Sequence, residues 1–131
     1  MTVGHKKVYE GFREFLAGFV RDLNQRSEEG WALLIEGPRD ERAMRLLGYD
    51  GSLITVPAVA RKGGAGVPRL KKVMVLTDLD REGASLAAKF VKRLNHDGIR
   101  TSLEERRRLK AASRGVFLHV ENLSRFAKSE D

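Results

Sequence analysis

Apolar residues near the start of the chain recur every three or four positions. Val8, Phe12, Phe15, Phe19 and Leu23 form the repeat, and Leu16 and Val20 widen it, while Lys7, Glu10, Arg13, Glu14 and Arg21 fall off the stripe. That period predicts an amphipathic helix over 5–26, packed as residues 1–29 on the rest of the domain. Beyond Gly30 the pattern changes to short, unbroken apolar runs, which read as buried strands: 31–36, 52–56 and 72–77, with a short fourth at 99–102 and a last strand-like run at 115–120. Between them lie helical patterns. Pro38 opens one that buries Ala43, Met44, Leu46 and Leu47 and stops at Gly48. A stronger helix begins after residue 80, with Ala84, Ala87, Ala88, Phe90, Val91 and Leu94 inward and Gly98 as its stop. Residues 103–112 read as an exposed helix, and 121–128 as a short closing one. The segment 57–72 reads as a loop with about one helical turn near 67–72, and the end, 128–131, as a flexible tail. Strands alternating with helices predict an α/β fold with a mainly parallel sheet of about four strands.

Composition narrows the setting. No apolar run approaches a membrane span, the start is too polar for a signal peptide, and there is no cysteine for a disulfide or a thiolate zinc site. The expectation is a soluble, cytoplasmic protein with no membrane partner. Scarce Asn and Gln beside abundant Arg also fit a heat-adapted protein. The net charge is +7, and 16 of the 25 basic residues are arginine, whose planar fork matches phosphate oxygens.

The carboxylates need a separate explanation. Glu36 closes the first strand; Asp78 and Asp80 come after the third, and Glu82 opens the next helix. In an open parallel sheet, sites form at the carboxyl ends of strands. If these two strands are neighbours, the acidic groups share one crevice, and a hard divalent cation would offset their repulsion. A D-x-D at a strand end also serves as a helix N-cap beside a solvated loop, and Glu82 also suits the helix dipole.

The stretches LLIEGPRDERAMRLL and VMVLTDLDREG resemble the two signature motifs of the Toprim domain. That domain is shared by type IA topoisomerases, bacterial primases, overcoming-lysogenization-defect nucleases, the recombination protein RecR and small ribonucleases that mature ribosomal RNA. Glu36 and Gly37 match the first motif, and Asp78 and Asp80 the second. Arg81, Glu82 and Gly83 match the Arg-Glu-Gly that extends the second motif in topoisomerases. The resemblance implies a Rossmann-like Toprim domain over 30–127. It also implies Glu36 as general acid/base and Asp78 and Asp80 as ligands of Mg2+ or Mn2+, with Glu82 and Glu36 as further contributors. Arg39, Arg61, Lys62, Arg69 and Arg81 would then meet nucleic acid. Gly63, Gly64 and Gly66 would let the 57–72 loop approach a phosphate on the same rim as the acidic site.

The chain departs from the topoisomerase pattern at Ala84, where those enzymes carry another glutamate, and neither Tyr9 nor Tyr49 has a recognisable nucleophile context. What the resemblance implies is therefore a small Toprim nuclease acting on RNA or DNA. The alternative is a non-catalytic Toprim module that binds nucleic acid or a protein partner in DNA repair or RNA processing. A homodimer or larger complex could supply further domains. His5, His96 and His119 show no ligand spacing, NHDG at 95–98 reads as a helix end, and RKGGAG lacks the Lys-Ser/Thr of a P-loop. EERRRLK fits either a solvated helix face or a nucleic-acid contact.

Overall fold

A computed structural model describes residues 3–127, with side chains from Tyr9 onward. Lys7, Val8 and His5 as side chains, and the tail expected at 128–131, lie outside the described residues. Helix α1 (Val3–Glu28) buries Phe12, Leu16, Phe19, Val20 and Leu23, as its spacing predicts. Then come β1 (Trp31–Ile35), α2 (Pro38–Leu46), β2 (Leu53–Thr55), α3 (Val56–Lys62), β3 (Lys72–Val75), α4 (Arg81–His96), β4 (Arg100–Ser102) and α5 (Glu104–Ser113). A 3-10 helix (Val120–Phe126) closes the described chain.

All four strands are parallel, in the order β2-β1-β3-β4. Side chains alternate between faces, so Leu33, Ile35 and Met74 pack with α1, α5 and the 3-10 helix. Leu34, Val73 and Val75 instead pack with Val59 of α3 and with Ala87, Phe90 and Leu94 of α4. Both faces of the sheet are covered, which is why β1 reads as an unbroken apolar run. The chain runs from β1 outward to β2 with Met44 of α2 on the α1 face. It then returns across β1 to β3 and β4, with α3 and α4 on the opposite face. Right-handed crossovers require this switch of faces when the direction reverses. The reversal falls between β1 and β3, and it opens a crevice at their carboxyl ends. This is a Rossmann-like α/β fold with an added N-terminal helix.

Several sequence expectations need correcting. Val56 opens a helix instead of ending the second strand, residues 57–62 are helical, not a loop, and 67–71 hold turns in place of a helical turn. Pro57 sits in the first turn of α3, as Pro38 does in α2, but α3 buries only Val59, so no apolar period shows. Residues 115–120 are not a strand. Phe117 and Val120, three apart, are buried, and Val116, Leu118 and His119 are exposed, so the run lacks the two-residue alternation of a strand; it bonds to a turn and joins no ladder among the described residues. Helix α5 is not simply exposed: Glu105, Arg106, Leu109 and Ser113 are buried, three of them polar, so the buried face carries no hydrophobic signal. Leu46, Ala84 and Ala88 face solvent.

Candidate active site at the carboxyl ends of β1 and β3

Strands β1 and β3 are direct neighbours, so the residues just past their ends meet. Leu76 N–H continues the pairing beyond β3 by donating to Leu34 O at 2.8 Å. Two residues on, Asp78 N–H donates to Glu36 Oε2 at 2.6 Å. Glu36 and Asp78 are thereby fastened together by main chain and side chain at the switch point.

The Asp78-Leu79-Asp80 turn is held from three sides. Asp80 caps α4: its Oδ1 accepts Gly83 N–H at 2.7 Å. This satisfies a helix-end donor and leaves Oδ2 free of that duty. Gly83 lets the helix come close, because a Cβ there would lie 1.8 Å from Asp78 O. Thr77 Oγ1 donates to Gly83 O at 2.7 Å and ties the strand end to the same helix turn. From α5, buried Arg106 donates through Nη2 to Asp78 O at 2.7 Å and to Asp80 O at 3.4 Å. Its Nε is buried without a hydrogen-bond partner among the described residues.

The third side is the segment before the 3-10 helix. Leu79 N–H donates to Leu118 O at 2.6 Å, and Val120 N–H to Asp78 Oδ1 at 2.8 Å. Between them, His119 Nδ1 lies 3.3 Å from Asp78 Oδ2 and 3.8 Å from Asp80 Oδ2. Each aspartate thus gives one oxygen to a backbone N–H and turns the other toward a shared space. These two oxygens and the imidazole nitrogen lie within 4.8 Å of one another, a spread suited to one small cation. Sequence reasoning set His119 aside for want of ligand spacing. Forty-one residues separate it from Asp78 in the chain, and only the docking of 118–120 brings it in.

Asp40 is a second residue that sequence reasoning missed. It lies buried in the first turn of α2, where its Oδ2 accepts Gly37 N–H at 3.3 Å. Burial, with Asp78 and Glu36 nearby, pushes its carboxyl up to about 6. An acidic residue in the first helical turn looks like a dipole contact in sequence, so its burial gave no signal.

Burial and neighbouring charges shift the titratable groups of this crevice. Burial raises the Glu36 carboxyl above its usual value, and the charges of Asp78 and Asp80 add to that, against the lowering effect of the Asp78 N–H. The hydrogen bond to Asp78 raises the His119 imidazole, with further help from the charges of Asp78, Asp80 and Glu121. Burial lowers the Arg106 guanidinium, opposed by Asp80, Glu36 and Asp78, though an arginine stays charged. One buried arginine therefore faces three carboxylates.

The remaining expected residues divide by position. Arg39 stands exposed on the rim, 3.9 Å from Glu121, beside a cleft of about 460 Å³ that Glu36, Asp40 and Asp78 also line. Arg81 and Glu82 line a separate groove along α4 with Ser85 and Lys89, and neither Glu82 nor Glu36 joins the cluster of Asp78, Asp80 and His119. Arg61, Lys62 and Arg69 are not on the acidic rim. Helix α3 carries the chain back toward the amino ends of the strands. There Ala60 O accepts a bond from Arg93, and Gly64 N–H donates to Asp97 Oδ2 at 2.9 Å, both partners being at the far end of α4. Gly64 is a packing position, since a Cβ would lie 2.3 Å from Ile99 and 2.9 Å from Leu94.

Comparison with known proteins shows the family of the chain. A UPF0292 protein from Pyrococcus abyssi is 37% identical over 106 residues, covering 80% of each chain. One from Thermococcus gammatolerans is 39% identical over 115 residues, covering 87% of this chain and 84% of that one. The chain belongs to the UPF0292 family. A more distant UPF0292 protein from Archaeoglobus fulgidus is 28% identical over 117 residues, 89% of this chain and 92% of its own. No protein-family model matches. Among solved structures, a putative protein from Aquifex aeolicus superposes with a TM-score of 0.64 at 23% identity, over 80% of this chain and 94% of that one. That likeness bears on the fold of this UPF0292 protein and not on its chemistry.

Proposed function

We propose that this protein is a Toprim-like nuclease that uses a divalent cation, Mg2+ or Mn2+, to cut a phosphodiester of RNA or DNA. The observation that carries the reading is the convergence of Glu36, Asp78 and Asp80 at the switch point, with Asp78 Oδ2 and Asp80 Oδ2 directed at one place. The donor set fits: two oxygens and a nitrogen within reach of one cation, each aspartate oriented through its other oxygen. Bound there, the cation would supply charge stabilisation on the scissile phosphate.

The chain's own groups supply the rest. Glu36 Oε2 is taken by Asp78 N–H, while Oε1 makes no hydrogen bond among the described residues and is left to accept or return a proton. Its raised pKa keeps it closer to neutrality than a free glutamate. Arg106 fixes the carbonyls of the aspartate turn, and Arg39 on the rim offers a phosphate contact. Neither tyrosine serves as a nucleophile. Tyr49 is buried with its hydroxyl on Ser52 O at 2.6 Å, and Tyr9 packs against Phe117 and Phe126. Water is then the attacking group, which favours hydrolysis over transfer of a strand to the protein.

The test is cleavage of end-labelled structured RNA, single-stranded DNA and duplex DNA, with Mg2+, with Mn2+ and with chelator. Cation-dependent cutting that Glu36→Gln reduces about 100-fold or more supports the reading. Tight binding without cutting of any substrate would return the protein to a non-catalytic nucleic-acid module.

A further inference from the structure

His119 is the residue at this site that no motif supplies. Its neighbours fix it in place. Phe117 is buried and stacks on Phe12 of α1 at 4.9 Å, with Phe126 edge-on at 5.0 Å. Val120 is 1% exposed. Backbone bonds at Leu118 and Val120 clamp the segment to the aspartate turn on both sides of the histidine. The imidazole itself is half exposed, with Nδ1 turned inward to both aspartates. Two ligand atoms on one cation lie about 3 to 3.5 Å apart when their bonds are about 2.1 Å long and meet at octahedral or tetrahedral angles. The His119–Asp78 separation, 3.3 Å, is within that span, and the His119–Asp80 separation, 3.8 Å, is close to it.

On the reading that a cation sits between the aspartates, we propose that His119 Nδ1 is its third protein ligand and makes the site prefer a first-row transition ion, such as Mn2+, to Mg2+. Oxygen ligands suit Mg2+, and an imidazole nitrogen gains more from a transition ion. A site built from Asp78 and Asp80 alone would discriminate little. With His119 added, the donor set is mixed, and the nitrogen sets the choice. The histidine reaches the site from the segment after α5, so the ion would also tie that segment to the aspartate turn.

The test measures binding without relying on turnover. Free Mn2+ is followed by electron paramagnetic resonance during titration of the full chain, and Mg2+ is read by competition. Wild type is compared with His119→Ala, His119→Gly, His119→Asp and Asp78→Asn. His119→Ala should weaken Mn2+ roughly tenfold or more while changing Mg2+ by less than about threefold. His119→Asp, which restores an oxygen donor, should recover binding but narrow the preference. Imidazole added to His119→Gly should recover Mn2+ affinity, which a merely structural histidine would not allow. Equal loss of both ions in His119→Ala, or no loss of either while Asp78→Asn abolishes both, would overturn the role of His119 and leave the metal site standing. No binding of either ion to wild type would instead defeat the metal reading itself.

Discussion

At the scale of single residues, Asp80, Glu36 and Asp40 do different work. Asp80 is a helix cap and a cluster member at once, because its two oxygens divide the tasks. Glu36→Gln keeps the acceptor for Asp78 N–H but removes the proton acceptor, so cation affinity should hold while turnover falls. Calorimetry with the cation beside a cleavage assay separates the two, and a matching fall in cation affinity would make Glu36 a ligand first. Asp40 gives a test that needs no activity. Its carboxyl is raised to about 6, above the unfolded value of 3.8. Its contribution is therefore fully present below pH 3.8 and is lost as pH rises through about 6. Asp40→Asn can still accept from Gly37 N–H, so it should gain about 2 kcal/mol over wild type at neutral pH. Little difference should remain near pH 4. Urea unfolding at both pH values checks this, and an equal effect at the two would contradict it.

At the scale of elements, the D-x-D-R-E-G run makes physical sense as a strand end, a turn and a helix start. Gly83 is required because α4 begins almost in contact with Asp78 O. Gly83→Ala should cost about 3 kcal/mol or more, by forcing that helix start to move. Gly37→Ala, where a Cβ would meet nothing within 4 Å, should stay within about 1 kcal/mol. Denaturant midpoints compare the two, and similar losses would contradict the packing account. Strand ends, α1, α2 and α4 were legible in the sequence because each carries a full apolar period or an unbroken buried run. Helix α3 was not, since one buried valine makes no period. The buried side of α5 was hidden because Glu105 and Arg106 occupy it. His119 was hidden for another reason: a site assembled by docking a distant segment leaves no local spacing to read.

At the scale of the whole molecule, the sheet has two ends with different charge. The carboxyl end gathers Glu36, Asp40, Asp78 and Asp80, with Arg39 on the rim; the amino end carries Arg61, Lys62 and Arg69 around a glycine-rich turn. If substrate binds across the acidic crevice, Arg39→Ala should flatten the log-affinity against log-salt slope by roughly 0.7 for a single strand or about 0.9 for a duplex. The double change Arg61→Ala with Lys62→Ala should leave that slope unaltered. A slope lost on the second change and kept on the first would put the nucleic acid at the wrong end of the molecule. The most direct test of the central claim, that the crowded aspartates exist to hold a divalent cation, is thermal unfolding with and without that cation. Wild type should gain stability as cation is added, in the manner of a ligand that binds only the folded state. Asp78→Asn combined with Asp80→Asn should fold, melt at or slightly above the cation-free wild type through relief of like-charge repulsion, and gain nothing from the cation. A wild type that gains no more from the cation than the double variant would contradict the claim.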